Sequence, residues 1–244
     1  MNESQVVMIT GATKGLGKAL TWAFAKAGAK LAVSARGQDG LDELASQLKR
    51  QGVEVLAVQG DMANNRDVDR FVAMTEKKFG QIDVLINNAS IFGPSPSPYL
   101  LDFPEEDFLE VLRINSMNPF LVTKRVLTGM LIREQGVIIN VTSEAGRTGF
   151  AGWGAYGISK FALEGLTQTW ADELDETGIR IYMVDPGEMD TDMHALAVPD
   201  CDYELNDPQA ITPVFLYLAS KEAKYLSGER IEATKWLAER RDAK

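Results

Sequence analysis

The eight residues Thr10-Gly-Ala-Thr-Lys-Gly-Leu-Gly17 constrain this chain more than any others. They follow the apolar run QVVMIT (5–10), which reads as a buried strand, and they open residues 15–28, whose apolar spacing reads as a helix. Glycines at 11, 15 and 17 let the backbone turn sharply and approach a ligand closely, while the helix aims its N-terminal amides and dipole at whatever lies above the turn. Strand, glycine-rich turn and helix in this order form a cradle for a pyrophosphate. The chain therefore begins with one unit of a βαβ layer.

The alternation continues. KLAVSA (30–35), VEVLAVQ (53–59), IDVLIN (82–87), GVIINVTS (136–143) and IRIYMVD (179–185) read as strands, and SGERIEA (227–233) as the start of another. Helical patterns over 39–51, 64–79, about 104–133, about 156–177 and 209–220 separate them. Strands this apolar, spaced by helices, predict an α/β fold: a doubly wound, Rossmann-type parallel sheet of about seven strands with helices on both faces. No composition shift or repeat divides residues 1–244, so one nucleotide-binding domain is expected. The polar, Pro-punctuated segment 188–208 follows a strand end and is either a substrate lid or an ordinary surface connection. KWLAERRDAK at the C-terminus is a short basic helix or a frayed tail.

Composition narrows the functional classes. The formal net charge of −10 argues against a nucleic-acid or anionic-membrane partner, and an anionic cofactor would need local cations. No window approaches the length of a membrane span, and a single cysteine, Cys201, suits a reducing compartment, so a cytoplasmic protein is expected. His194 is the only histidine and lacks partners at metal-ligand spacing; it reads as a surface or lid residue, and no metal site is expected.

Trp153-Gly-Ala-Tyr-Gly-Ile-Ser-Lys160 places Tyr156 and Lys160 one helical turn apart on one face. Carbonyl reduction needs a proton donor to the oxygen that receives charge; a phenol, with an ordinary pKa of about 10, would be tuned for this by a neighbouring ammonium. Ser143 stands at the end of a predicted strand, where its hydroxyl could stabilise a developing oxyanion.

The loop spacing T-G-x-x-x-G-x-G resembles that of the short-chain dehydrogenase/reductase family. Asp61, Asn87-Asn88-Ala89, Asn115, Ser143, Tyr156-x-x-x-Lys160, and Pro186-Gly187 with Thr191 follow in the family's order, so the resemblance covers nearly the whole chain. It implies catalytic roles for Asn115, Ser143, Tyr156 and Lys160, with Asn115 holding a water that relays protons from the lysine. It implies hydride transfer between a nicotinamide and a carbonyl or secondary alcohol, with Tyr156 as general acid and base and Lys160 also gripping the nicotinamide ribose. Cofactor contacts then fall on Gly11, Thr13, Lys14, Gly15, Leu16, Gly17, Arg36, Asp61, Met62, Asn88, Tyr156, Lys160, Pro186, Gly187 and Thr191. The family's NAD users carry an acid at the position of Ala35; Arg36 and Lys14 instead favour NADP(H) over NAD(H).

Glu144, Trp153 and Phe92 are expected around the substrate, although Trp153 could equally be packing. Ser90 replaces the family's usual glycine, in the Asn-Asn-Ala-Ser form of the pteridine reductases, and predicts a small change in loop conformation. The C-terminus departs from the family's Gly-rich strand, so a homodimer through the long helices is expected ahead of a homotetramer. A non-catalytic NADP(H)-binding redox sensor, or a scaffold on the same fold, are the alternatives.

Overall fold

A computed structural model describes residues 5–242. Seven parallel strands lie in the order β3-β2-β1-β4-β5-β6-β7. They are β1 (Val6–Thr10), β2 (Lys30–Ala35), β3 (Val55–Gln59), β4 (Val84–Asn87), β5 (Gly136–Val141), β6 (Ile179–Asp185) and β7 (Arg230–Glu232). The pairing of Val7 with both Leu31 and Val84 fixes β1 between β2 and β4. Strand order reverses beside β1, which opens a crevice at the C-terminal ends of β1 and β4.

Period-two alternation sends neighbouring side chains to opposite faces. Val7 and Ile9 enter a core with Leu20 and Phe24 of α1 (Gly15–Lys26), Leu41 and Leu48 of α2 (Gln38–Arg50), and Phe215 of α8 (Pro208–Leu218). Met8 faces the other core, with Phe71 of α3 (Asn65–Phe79), Val126 of α5 (Asn118–Arg133) and Trp170 of α6 (Gly154–Glu173). Helices cover both faces of the inner strands, which is why those strands read as apolar runs.

Two regions differ from the sequence reading. The helix expected over 104–133 is α4 (Glu105–Leu112), a π-helical turn (Arg113–Met117) and α5, with Pro104 capping rather than beginning α4. The extra residue of the π turn swings Asn115 inward, where Ile91 binds it; π turns insert where side-chain demands override helical register. At the C-terminus β7 has only three residues and runs straight into α9 (Ala233–Asp242). TKWLAERR lacks the glycines of a strand ending and is rich in helix formers. Trp236 seals the first core, and the Arg240 guanidinium stacks 4.2 Å from its ring centroid. Ala243 and Lys244 of the expected tail lie outside the described residues.

Candidate functional site

A cavity of about 1540 Å³ opens above the C-terminal ends of the strands. All the expected cofactor residues line it, as do Ser143, Glu144, Trp153 and Phe92; Asn115 alone stands behind the wall.

The phosphate loop is fixed by glycine geometry. Gly11 has φ +67°, and a Cβ there would come within 2.8 Å of the Ala89 backbone; a Cβ on Gly17 would lie 2.1 Å from the Gly11 carbonyl oxygen. Asn88 clamps the turn from the next strand, its Nδ2 donating to the carbonyls of Thr10 and Gly11, both at 3.1 Å. The Thr10 hydroxyl oxygen accepts from the amides of Asn88 and Ala89. At the head of α1, Lys14 caps with no side-chain bond, and no acid stands in the first turn. An uncapped helix N-terminus facing a deep cavity fits a phosphate group. At the β2 end of the cavity Arg36 is exposed and follows Ala35, with no carboxylate closing β2. Asp61 is engaged by Arg113 at 3.0 Å, and Lys14 by Asp192 at 3.0 Å.

Ser90 lines the cavity without taking a positive φ, so the serine is accommodated in ordinary backbone, and its buried Oγ has no partner among the described residues.

The other half of the cavity carries the reactive groups. Ser143 follows β5 and accepts through Oγ from the amide of Ala145, opening a short 3-10 turn over Glu144–Gly146. Trp153 caps α6, so Tyr156 and Lys160 project from the first turns of that helix. The Tyr156 ring is boxed by Phe92 at 5.5 Å and Trp153 at 5.8 Å. Phe92 and Trp153 are themselves edge to face at 5.4 Å, so Trp153 both packs and faces the cavity. Lys160 Nζ lies 5.4 Å from the Tyr156 ring centroid and donates to the Val141 carbonyl at 2.9 Å.

Burial dominates the titration of the pair. It pushes the Tyr156 phenol up to about 12, opposed by the Ser143 hydroxyl and reinforced by the Asp185 carboxylate. It pushes the Lys160 ammonium down to about 8, while Asp185 and Glu164 act in the opposite direction. The expected lowering of the phenol by the lysine is not the leading effect in the ligand-free protein. Lys160 Nζ lies against the ring face and bonds the Val141 carbonyl, and burial sets the direction of the phenol's shift.

Asn115 staples the site together. Its Oδ1 accepts from the Ile91 amide at 2.8 Å, and its Nδ2 donates to the Ile91 carbonyl and to Ser159 Oγ. Both amide hydrogens are thus occupied, and this side chain fastens the loop after β4 to α6. Thr191 caps α7 (Asp192–Ala197), accepting from the His194 amide, and its methyl would lie 3.1 Å from a Cβ placed on Gly15. Segment 188–208 therefore abuts the phosphate loop. His194 within it is buried beside the cavity, not on the surface, with Glu188 at 3.6 Å from Nε2.

The sequence reading missed a buried charge cluster behind Ser143: Arg230, Asp185 and Glu164. A signal was present, since Glu164 repeats the four-residue spacing of Tyr156 and Lys160 on the buried face of α6. Among the described residues, no group of three or more metal-type ligands occurs and no helix is long and apolar enough to cross a membrane.

Comparison with known proteins assigns this geometry to a family. The sequence profile for "short chain dehydrogenase" matches residues 5–202. A 3-oxoacyl-[acyl-carrier-protein] reductase of Synechocystis is 35% identical over 93% of this chain and 94% of its own. A 2-dehydro-3-deoxy-D-gluconate 5-dehydrogenase of Formosa agariphila is 30% identical over 93% and 89%. Two solved structures superpose closely at 27% identity. One is a short chain dehydrogenase of Shigella flexneri complexed with NADP (TM-score 0.88, covering 94% of this chain and 97% of that one). The other is an NAD+-bound xylitol dehydrogenase (TM-score 0.85, 93% and 96%). By the profile match and these identities over nearly the whole chain, the chain belongs to the short-chain dehydrogenase family of nicotinamide-dependent oxidoreductases.

Proposed function

We infer that the protein is an NADP(H)-dependent oxidoreductase that interconverts a carbonyl compound and its secondary alcohol. One observation carries this reading: Tyr156, Ser143 and Lys160 open on the same cavity as an uncapped glycine-rich phosphate loop. The cradle residues fit a dinucleotide, whose nicotinamide, when bound, exchanges the hydride. Arg36 and Lys14, with no acid after β2, support NADP(H) over NAD(H).

In this reading Tyr156 gives its phenolic proton to the carbonyl oxygen, and Ser143 donates a hydrogen bond to that same oxygen as charge develops. Lys160, held by Val141, presents its ammonium beneath the phenol and to the cofactor ribose. Asn115 keeps the loop after β4 against α6, and so fixes the height of the tyrosine. Phe92, Trp153 and Phe150 form an aromatic wall suited to a planar or apolar substrate, and residues 188–208 act as its lid. We read residues 1–244 as one domain in the cytoplasm. Exposed Leu109, Met117, Ile158 and Phe161 on α4, the π turn and α6 support a homodimer through this face.

NADPH consumption across aldehydes, ketones, quinones, 3-oxoacyl thioesters and pterins tests the reading. A substrate should emerge, and Tyr156→Phe should cut its turnover about a thousandfold while leaving NADPH affinity intact. Tight NADPH binding without turnover on any class would instead indicate a redox sensor, and absence of binding a scaffold.

A further inference from the structure

Arg230 stands on β7, outside the cavity wall, with its side chain only 12% exposed. Its Nη2 donates to Asp185 Oδ2 at 2.8 Å and to the Ser143 carbonyl at 3.1 Å, and its Nε to Glu164 Oε1 at 3.1 Å. Glu144 and Glu232, each 3.4 Å from the guanidinium, complete its surroundings, and Arg147 pairs with both of those on the outer side. Glu164 also accepts from Thr142 Oγ1 at 2.7 Å.

Asp185 and Glu164 are about as buried as Arg230 itself. Two carboxylates out of water demand a cation, and an unpaired one is strongly unfavourable. Near them stand two buried cations, Arg230 and Lys160, and only Arg230 bonds them. Lys160 Nζ is left to the Val141 carbonyl, beneath Tyr156. Without the guanidinium, the two acids would turn to the remaining ammonium and draw it away from the phenol. The same guanidinium grips the Ser143 backbone, so one residue fixes both reactive neighbours of Tyr156.

We propose that Arg230 is a positioning residue of the site, holding Ser143 through its carbonyl and absorbing the charges of Asp185 and Glu164 so that Lys160 stays free beneath Tyr156. The kinetic consequence rests on the oxidoreductase reading; the electrostatic one does not. Carbon NMR titration of Lys160 Cε in the ligand-free protein, assigned with Lys160→Arg, reads the electrostatic arm directly. Lys160 should titrate at about 8 in the wild type. In Arg230→Met the midpoint should rise by about one pH unit, because two uncompensated carboxylates favour the ammonium. In Glu164→Gln, with Arg230 kept, it should fall. Arg230→Met combined with Glu164→Gln and Asp185→Asn should bring it below the wild-type value, close to that of Glu164→Gln alone, because both carboxylates that favour the ammonium are gone.

In alcohol oxidation the acid limb of the pH–rate profile should move the same way in each variant, since Asp185 also opposes ionisation of Tyr156. Arg230→Lys should recover part of the wild-type profile. If Arg230→Met does not fold, Glu164→Gln and the triple variant decide the matter. An Arg230→Met protein that folds and leaves the Lys160 midpoint unmoved overturns the proposal, as does a Glu164→Gln midpoint that fails to fall. Absence of turnover in the wild type would defeat the functional reading alone, because the titration still decides the role of Arg230.

Discussion

The two halves of the cavity are built by different physics. On the β1 side the phosphate loop is held by backbone: glycine conformations, Asn88 bonding two carbonyls, and an uncapped helix end. On the β5–β7 side the reactive face is held by buried charge, with Arg230 among carboxylates and Lys160 desolvated beneath a phenol. The first half is constrained by close backbone approach, with no room for a Cβ at Gly11 or Gly17. The second is poised, because its ionic groups sit where they are costly and must be balanced. In the proposed reading, anion binding therefore belongs to geometry, and proton handling to electrostatics.

The largest break in that contrast should come from Gly17→Ala. The new Cβ would meet the Gly11 carbonyl at 2.1 Å, against backbone that cannot yield, so the loop must open. NADPH affinity measured by fluorescence should fall by about a hundredfold or more, together with stability. Tyr156→Phe in the other half should spare both. If Gly17→Ala bound NADPH as well as the wild type, the cradle would not be held by geometry.

Lys160→Met sharpens the electrostatic side. Burial holds the ammonium at about 8 against 10.5 for an ordinary lysine, so the protonated form is disfavoured in the folded protein. Between these values the unfolded chain binds more protons, and wild-type stability rises with pH; below about 8 both states are protonated and the penalty is constant. The substitution should therefore stabilise the protein at pH 7, by about 2 kcal/mol after loss of the bond to Val141. The gain should shrink as pH rises from 8 towards 10.5. Urea denaturation at the two ends of that window checks it, and a variant less stable than wild type at pH 7 would contradict the poised view.

The same division explains what was legible in the sequence. The sheet and its loop follow from local rules: apolar runs such as VVMIT, glycines between strand and helix, and a tyrosine and lysine at one-turn spacing. The charge cluster does not, because Arg230, Asp185 and Glu164 come from β7, β6 and α6 and acquire meaning only when the sheet is assembled. The π turn was hidden for a related reason. Asn115 adjusts its helix to reach Ile91, a partner 24 residues away that no helical periodicity reports. His194 reads in the sequence as a surface or lid residue; it lies in segment 188–208 but is buried there, beside Tyr203 and Glu188, a placement that composition alone does not report.

Arg36→Ala probes a place where the geometric half relies on charge. Arg36 is exposed at the end of the cradle, so its contribution to a 2′-phosphate is a charge-assisted bond screened by solvent. NADPH should bind about tenfold more weakly, with NADH hardly affected, which narrows the preference between them. Equal affinities for the two cofactors in the wild type would remove the basis for NADP(H).

The smallest effect should come from the point where the two halves touch in solvent. Lys14 of the phosphate loop and Asp192 of α7 form a 3.0 Å ion pair with side chains 80% and 77% exposed. Such a pair contributes little to stability, so Asp192→Asn should leave the unfolding midpoint unchanged. Its effect should appear in binding. A cofactor phosphate and Asp192 compete for the same ammonium, so releasing Lys14 should tighten NADPH binding about two- to threefold at low salt. The gain should vanish at high ionic strength, where screening removes both interactions. A variant that binds NADPH more weakly at every salt concentration would show that Asp192 shapes the entrance to the cradle, and that the boundary between backbone and charge lies elsewhere.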